Sequence, residues 1–299
     1  MKDFADRVAV ITGAASGLGK ALAEHAAGLG MKLVLADIQA DALAATVTEL
    51  HDRGVSVIGL CTDVSQSEQV QALADTAMAT FGTVHLLFNN AGVLAGGLVW
   101  ENSEKDWEWL LGVNVRSVVH GVRIFTPLML AATTDPDYQG HIVNTASMSG
   151  LINAPTLGAY NLTKQAVVSL SETLYHDLAL VSAQVHCSVL CPYFVPTGIS
   201  QSGRHRPGEL ANSVALTRSQ TVALSQNKKA TGAGKISAEQ IARLTFDAIR
   251  QRSFYIYSHP RAMDSVRERF EAIVDQRNPP DPYAGRPELR AQLIEALRN

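Results

Sequence analysis

Three cysteines in 299 residues, Cys61, Cys187 and Cys191, are too few and odd in number to build a disulfide framework. A charge excess of either sign is also missing. Lys and Arg number 25 against 28 Asp and Glu, a net charge of −3, which argues against the clustered basic surface of a nucleic-acid binder. No apolar run approaches the roughly 18–20 residues of a membrane span. The opening Met1-Lys2-Asp3-Phe4-Ala5-Asp6 leads only into Val8-Ala9-Val10-Ile11, too short an apolar stretch for a secretory signal. The histidines form no His-x-x-x-His pair, and Cys187 and Cys191 match no zinc spacing, so no metal is expected. These absences leave a chain expected to be soluble and cytoplasmic, with neither nucleic acid nor membrane among its partners. A domain of this length can bury about 75% of its unfolded surface, so a large core is available.

Short β-branched runs alternate with longer amphipathic stretches. Strands are predicted at 7–11, 32–36, 55–60, 84–88, 141–144, 184–190 and 254–257. Helices are predicted between them, the longest over 159–181. Strands this apolar, separated by helices, imply a parallel sheet covered on both faces, and right-handed crossovers make it a doubly wound α/β (Rossmann) fold. Residues 1–275 read as one domain. Within it, 199–235 lack periodicity and carry Gly203, Pro207, Gly208, Gly232 and Gly234, the marks of a lid. Residues 276–299 read as a tail, an extended arm ending in a short helix.

The turn after the first strand, Thr12-Gly13-Ala14-Ala15-Ser16-Gly17-Leu18-Gly19, concentrates glycine where a strand meets a helix. Residues without Cβ let the backbone approach a diphosphate, and the helix presents free N–H groups with its positive dipole end. An ordinary glycine turn is the plainer alternative, although strand and helix lie on the required sides. The second strand ends at Asp37, an acid placed to accept hydrogen bonds from adenosine ribose hydroxyls and to repel a 2′-phosphate. It also suits a helix N-cap. Neither Ser16 nor Ile38 is basic, so NAD is expected in preference to NADP.

Further along lie Asp63-Val64, Asn89-Asn90-Ala91-Gly92, Asn114, Ser147, Tyr160-x-x-x-Lys164 and Pro192-x-x-Val195-x-Thr197. Tyr160 and Lys164 are i and i+4 and share a helix face. A tyrosine with a pKa of about 10 is a poor base, and an adjacent ammonium would favour its phenolate. Ser147, thirteen residues earlier, stands where a hydroxyl can hold a substrate oxygen. With the glycine loop, this series resembles the short-chain dehydrogenase/reductase family over about residues 5–260. The resemblance implies Tyr160 as general acid/base, Ser147 as the group that orients the substrate oxygen, and Lys164 on the nicotinamide ribose. It implies Asn114 as support for a proton-relay water. Gly13, Ser16, Gly17, Leu18, Gly19, Asp37, Asn90, Ala91 and Gly92 would hold the coenzyme, with Asp63 and Val64 near adenine. Pro192, Val195 and Thr197 would lie on the nicotinamide side. It further implies a homodimer or homotetramer.

The expected reaction is reversible hydride transfer between NAD(H) and a small-molecule secondary alcohol or ketone. NADPH-linked carbonyl reduction and a non-catalytic NAD(H) sensor are the competing readings, and the intact Ser147, Tyr160 and Lys164 weigh against the sensor. Where the family often has glycine after Pro192, this chain has Tyr193, followed by Phe194. Leu94, Met148, Leu151 and Tyr193 are the candidate substrate residues, with Ile152 and Phe194 beside them and Arg204, His205 and Arg206 added by the lid. The segment Tyr255-Ile256-Tyr257-Ser258-His259-Pro260 also resembles members that oxidise aryl-bearing secondary alcohols.

Overall fold

Seven strands are stacked in register by parallel pairing, the inner five with wholly or largely buried side chains and the two edge strands more exposed. They are β1 (Val8–Thr12), β2 (Lys32–Asp37), β3 (Val57–Cys61), β4 (Leu86–Asn89), β5 (Gly140–Thr145), β6 (Val185–Cys191) and β7 (Tyr255–Tyr257). The spatial order in this computed structural model, which describes residues 1–298, is β3-β2-β1-β4-β5-β6-β7. Every residue of β1, β4 and β5 is buried, as a sheet covered on both faces requires.

The cover on one face comes from α1 (Gly17–Gly28), α2 (Ala40–His51) and α8 (Ala238–Gln251), around Leu22, Leu33, Leu35, Phe88 and Phe246. On the other face α3 (Ser67–Phe81), α5 (Ser117–Ala131) and α6 (Gly158–Val181) pack around Val10, Leu73, Leu87, Phe125 and Ile142. Before α5 come α4 (Glu104–Leu111) and a π-helical turn at Gly112–Arg116. A buried polar chain ties this layer to the sheet. Asn89 Nδ2 donates to Asn144 Oδ1 at 2.8 Å, and Asn144 Nδ2 donates to Ser171 Oγ at 3.0 Å.

Strand order reverses between β1 and β4, and a crevice opens there at the carboxyl ends of the strands. The segment expected to be an irregular lid is more ordered than its sequence suggests. It holds 3₁₀ turns at Gly198–His205 and Gly208–Leu210, and a 15-residue helix α7 (Arg218–Gly232). The inward face of α7 is Ser219, Gln220, Ala223, Asn227 and Thr231, at helical spacing but mostly polar, so apolar periodicity could not reveal it. Thr217 and Gln220 form a reciprocal capping box at its start. Beyond α9 (Met263–Val274), the chain ends in α10 (Pro287–Arg298), which buries Leu293. There Arg218 Nε of α7 donates to the Ala296 carbonyl.

Candidate active site

The crevice is a cavity whose floor is the turn between β1 and α1. Gly13 and Gly17 adopt left-handed φ values of +67° and +52°. A Cβ at Gly19 would stand 1.9 Å from the Gly13 carbonyl oxygen, and one at Gly13 would stand 2.9 Å from Ala91 Cα. The backbone is therefore folded too tightly for side chains, and it directs the first N–H groups of α1 into the cavity. That cradle fits a diphosphate. Asn90 fixes the opposite rim. Its Nδ2 donates to Thr12 O at 2.9 Å, while the Thr12 hydroxyl accepts the Asn90 and Ala91 N–H groups at 3.0 and 3.1 Å.

Gly13, Ser16, Gly17, Leu18, Gly19, Asp37, Asp63, Val64, Asn90, Ala91, Gly92, Pro192, Val195 and Thr197 all line this one cavity. Asp37 is not the cap of α2, a position held by Gln39. Instead Oδ1 accepts the Gln39 N–H and Oδ2 the Ala15 N–H, each at 3.0 Å, so two backbone amides aim the carboxylate. Asp63 Oδ1 accepts both the N–H and the hydroxyl of Ser65, which holds the β3 end of the cavity in shape.

Ser147, Tyr160 and Lys164 line the same cavity. Ser147 stands two residues past the end of β5, its Oγ accepting the Ser149 N–H at 3.1 Å. Tyr160 and Lys164 stand in the first two turns of α6, 8% and 3% exposed. Lys164 Nζ donates to Thr145 O at 2.9 Å and lies 5.8 Å from the centre of the Tyr160 ring. Burial pushes the Tyr160 phenol up to about 12, against the lowering effect of a hydrogen bond with Ser147. Burial also pulls Lys164 down to about 8. Burial thus outweighs the depression expected for Tyr160, because removing both groups from water disfavours phenolate and ammonium together.

Asn114 lies in the π-helical turn, 1% exposed and off the cavity wall. Its Oδ1 accepts the Val93 N–H at 2.8 Å, and its Nδ2 donates to Val93 O at 2.9 Å and Thr163 Oγ1 at 3.1 Å. Asn114 thereby joins the loop following β4 to the residue before Lys164.

Three of the four candidate substrate residues lie outside the cavity lining. Met148 and Leu151, 0% and 5% exposed, pack with Val118, Val167 and Val189 in the core behind the site. Leu94 packs among Trp109, Leu110 and Leu157, also outside the cavity lining. Only Tyr193 lines it, its ring 4.2 Å from Phe194 and 5.6 Å from His259. The apolar walls are instead Val93, Trp109, Val113 and Ile199, which no motif marked. The lid supplies Ile199, Ser202, Arg204, His205 and Pro207 to the lining. Arg206 turns away and pairs with buried Asp106 at 2.5 Å, its guanidinium 5.2 Å from the Trp109 ring centre.

A doubly wound sheet with a glycine cradle and a serine, tyrosine and lysine in one cavity defines a nucleotide-dependent oxidoreductase. The short chain dehydrogenase model matches residues 7–208, and the chain belongs to the short-chain dehydrogenase/reductase family. It is 35% identical over 286 residues to a CLA biosynthesis dehydrogenase/reductase of Lactiplantibacillus plantarum, covering 93% of this chain and 97% of the relative. It is 31% identical over 298 residues to a C alpha-dehydrogenase of Sphingobium sp., covering 99% and 94%. A family member from Burkholderia phymatum, solved in complex with NAD, superposes with a TM-score of 0.92 at 56% identity, covering 94% of this chain and 99% of that one. No helix among the described residues is long and apolar enough to cross a membrane.

Proposed function

We propose that this oxidoreductase catalyses reversible hydride transfer between NAD(H) and a secondary alcohol or ketone with a hydrophobic or aryl-bearing body. One observation carries the reading: Ser147, Tyr160 and Lys164 share a single cavity with the glycine cradle. Gly13, Ser16, Gly17, Leu18 and Gly19 would hold the diphosphate, Asp37 the adenosine ribose, and Asp63 and Val64 the adenine edge. Pro192, Val195 and Thr197 would flank the nicotinamide. When bound, the coenzyme supplies the hydride acceptor and, in its oxidised form, a positive ring.

The protein's part is to position the substrate and move a proton. Ser147 Oγ holds the substrate oxygen, and the Tyr160 hydroxyl takes the alcohol proton during oxidation or gives one back during reduction. Lys164, anchored on Thr145 O, holds the ribose side and brings positive charge near Tyr160. Asn114 keeps Val93 and the Lys164 turn in register and supports proton exchange with solvent beyond Lys164. Trp109, Val113, Ile199 and Tyr193 offer apolar walls, so binding comes largely from burying a ring or alicyclic body. The 1-deoxy-11-beta-hydroxypentalenate dehydrogenase of Streptomyces exfoliatus, 32% identical over 269 residues, is named for a hydroxyl-bearing substrate, which supports the reading of alcohol oxidation.

Steady-state assays of graded alcohols and ketones with NAD(H) and NADP(H), followed by nicotinamide absorbance, test this reading. We expect kcat/KM to rise from small aliphatic to bulky aryl or alicyclic secondary alcohols, and NAD(H) to be preferred. A preference for small charged hydroxy acids would overturn the substrate class. Tighter binding of NADP(H) would overturn the coenzyme choice.

A further inference from the structure

The lid brings a cation into the coenzyme half of the cavity. Two buried anchors, four residues apart, fix this stretch. The Ser202 hydroxyl, 3% exposed, accepts the Leu94 N–H at 2.9 Å and donates to Leu94 O at 3.2 Å. Arg206 pairs with Asp106, whose carboxylate also accepts the Ser103 N–H at 2.9 Å, Asn212 Nδ2 at 3.0 Å and Gln220 Nε2 at 3.1 Å. Between the anchors, Arg204 and His205 line the cavity.

The position of Arg204 follows from its neighbours. Thr197 presses against the cradle, since a Cβ at Gly17 would be 3.3 Å from Thr197 Cβ. The next residue, Gly198, lies under the Arg204 guanidinium, where a Cβ would meet Nη2 at 2.9 Å. Arg204 Nη1 donates to Gly198 O at 3.2 Å and Gln201 O at 3.0 Å, which fixes its bearing. No carboxylate among the described residues forms an ion pair with it. His205 is pulled below its ordinary value by burial and by Arg204, so near neutral pH it is uncharged and Arg204 is the lid's only cation on this wall.

We infer that Arg204 is a coenzyme-binding residue whose guanidinium engages the diphosphate from the lid side, opposite the α1 cradle, and that Asp106 positions it through Arg206. The inference rests on the proposed coenzyme site and goes beyond it, because it makes the coenzyme's phosphates, and not the substrate, the group that the 198–207 stretch contacts through Arg204. A cation held by backbone carbonyls beside a helix N-terminus adds a charge-assisted contact to a phosphate already bound by N–H groups.

The test is direct binding, by calorimetry or quenching of tryptophan fluorescence, of NADH, NADPH, ADP and adenosine to the whole chain. Arg204→Gln should weaken NADH and ADP about tenfold at low salt, with the loss shrinking as salt screens the contact, and should leave adenosine unchanged. Arg204→Lys should recover most of the loss, since the charge is retained. Asp106→Asn should weaken ADP relative to adenosine in the same way, and combining it with Arg204→Gln should add little. Equal losses on adenosine and ADP, or changes under about twofold on both, would overturn the inference. So would a loss confined to NADPH, which would place Arg204 on a 2′-phosphate. If the unaltered protein binds none of the four ligands, the coenzyme site itself is wrong, and the inference goes with it.

Discussion

Removing a single oxygen from the wall that Ser147, Tyr160 and Lys164 form tests its proposed chemistry. Tyr160 is packed by its ring among Val93, Trp109 and Leu157, so Tyr160→Phe keeps the packing and loses only the hydroxyl. The expected outcome is retained NADH binding with turnover lowered at least about a hundredfold, read by titration and steady-state kinetics on one substrate. An unchanged kcat would remove Tyr160 from the proton path. Asp37→Ala tests the other end of the cavity. Two backbone amides aim that carboxylate, so under the proposed preference for NAD(H) the variant should show a smaller ratio of NADPH to NADH dissociation constants. Ser147, Tyr160, Lys164 and the glycines were legible in the sequence because their chemistry demands particular residue types at particular spacings. Met148, Leu151 and Leu94 were not, because an apolar residue near a site looks the same whether it faces cavity or core. Trp109 and Val113 reach the wall from α4 and the π-helical turn, a displacement that local pattern does not encode.

Among the elements, α7 is the least legible and the most exposed to test. Its buried face is polar, so its stability depends on its cap and on hydrogen bonds such as Ser219 Oγ to Glu101 at 2.6 Å. Thr217→Ala deletes the side-chain half of the capping box, at a cost of about 1 kcal/mol to the local helix. Faster limited proteolysis within 199–235 and a raised KM, with only a small change in global melting temperature, are the expected results. Coenzyme plus a substrate analogue should slow that cleavage in the unaltered protein, as a closing lid requires. No ligand effect on cleavage would mean that this segment does not close. The strands, by contrast, were readable to within a residue or two, since a covered parallel sheet writes continuous apolar runs into the chain.

At the scale of the whole molecule, acid should weaken the fold from the sheet outward. His141, on β5 opposite His186 on β6, is 1% exposed, and burial with the nearby His186 depresses it to about 3. Burial also takes His85 down to about 4. Both bind protons more readily unfolded than folded. Their neutral forms therefore support full stability above about pH 6.5, and stability is lost progressively as pH falls toward the folded values. Melting temperatures across that window should decline, and His141→Gln should flatten the decline even if its starting value is lower. An unaltered slope in that variant would assign the acid sensitivity elsewhere. The doubly wound order itself was legible from alternation and handedness alone. The docking of α10 on α7 has a practical corollary for anyone joining this chain to another. The last helix packs on α7, which presents Thr231 to the cavity, through Arg218 and Ala296. A fusion partner or affinity handle attached there loads the helix that presents Thr231 to the cavity, whereas one attached ahead of β1 loads the opposite ends of the strands.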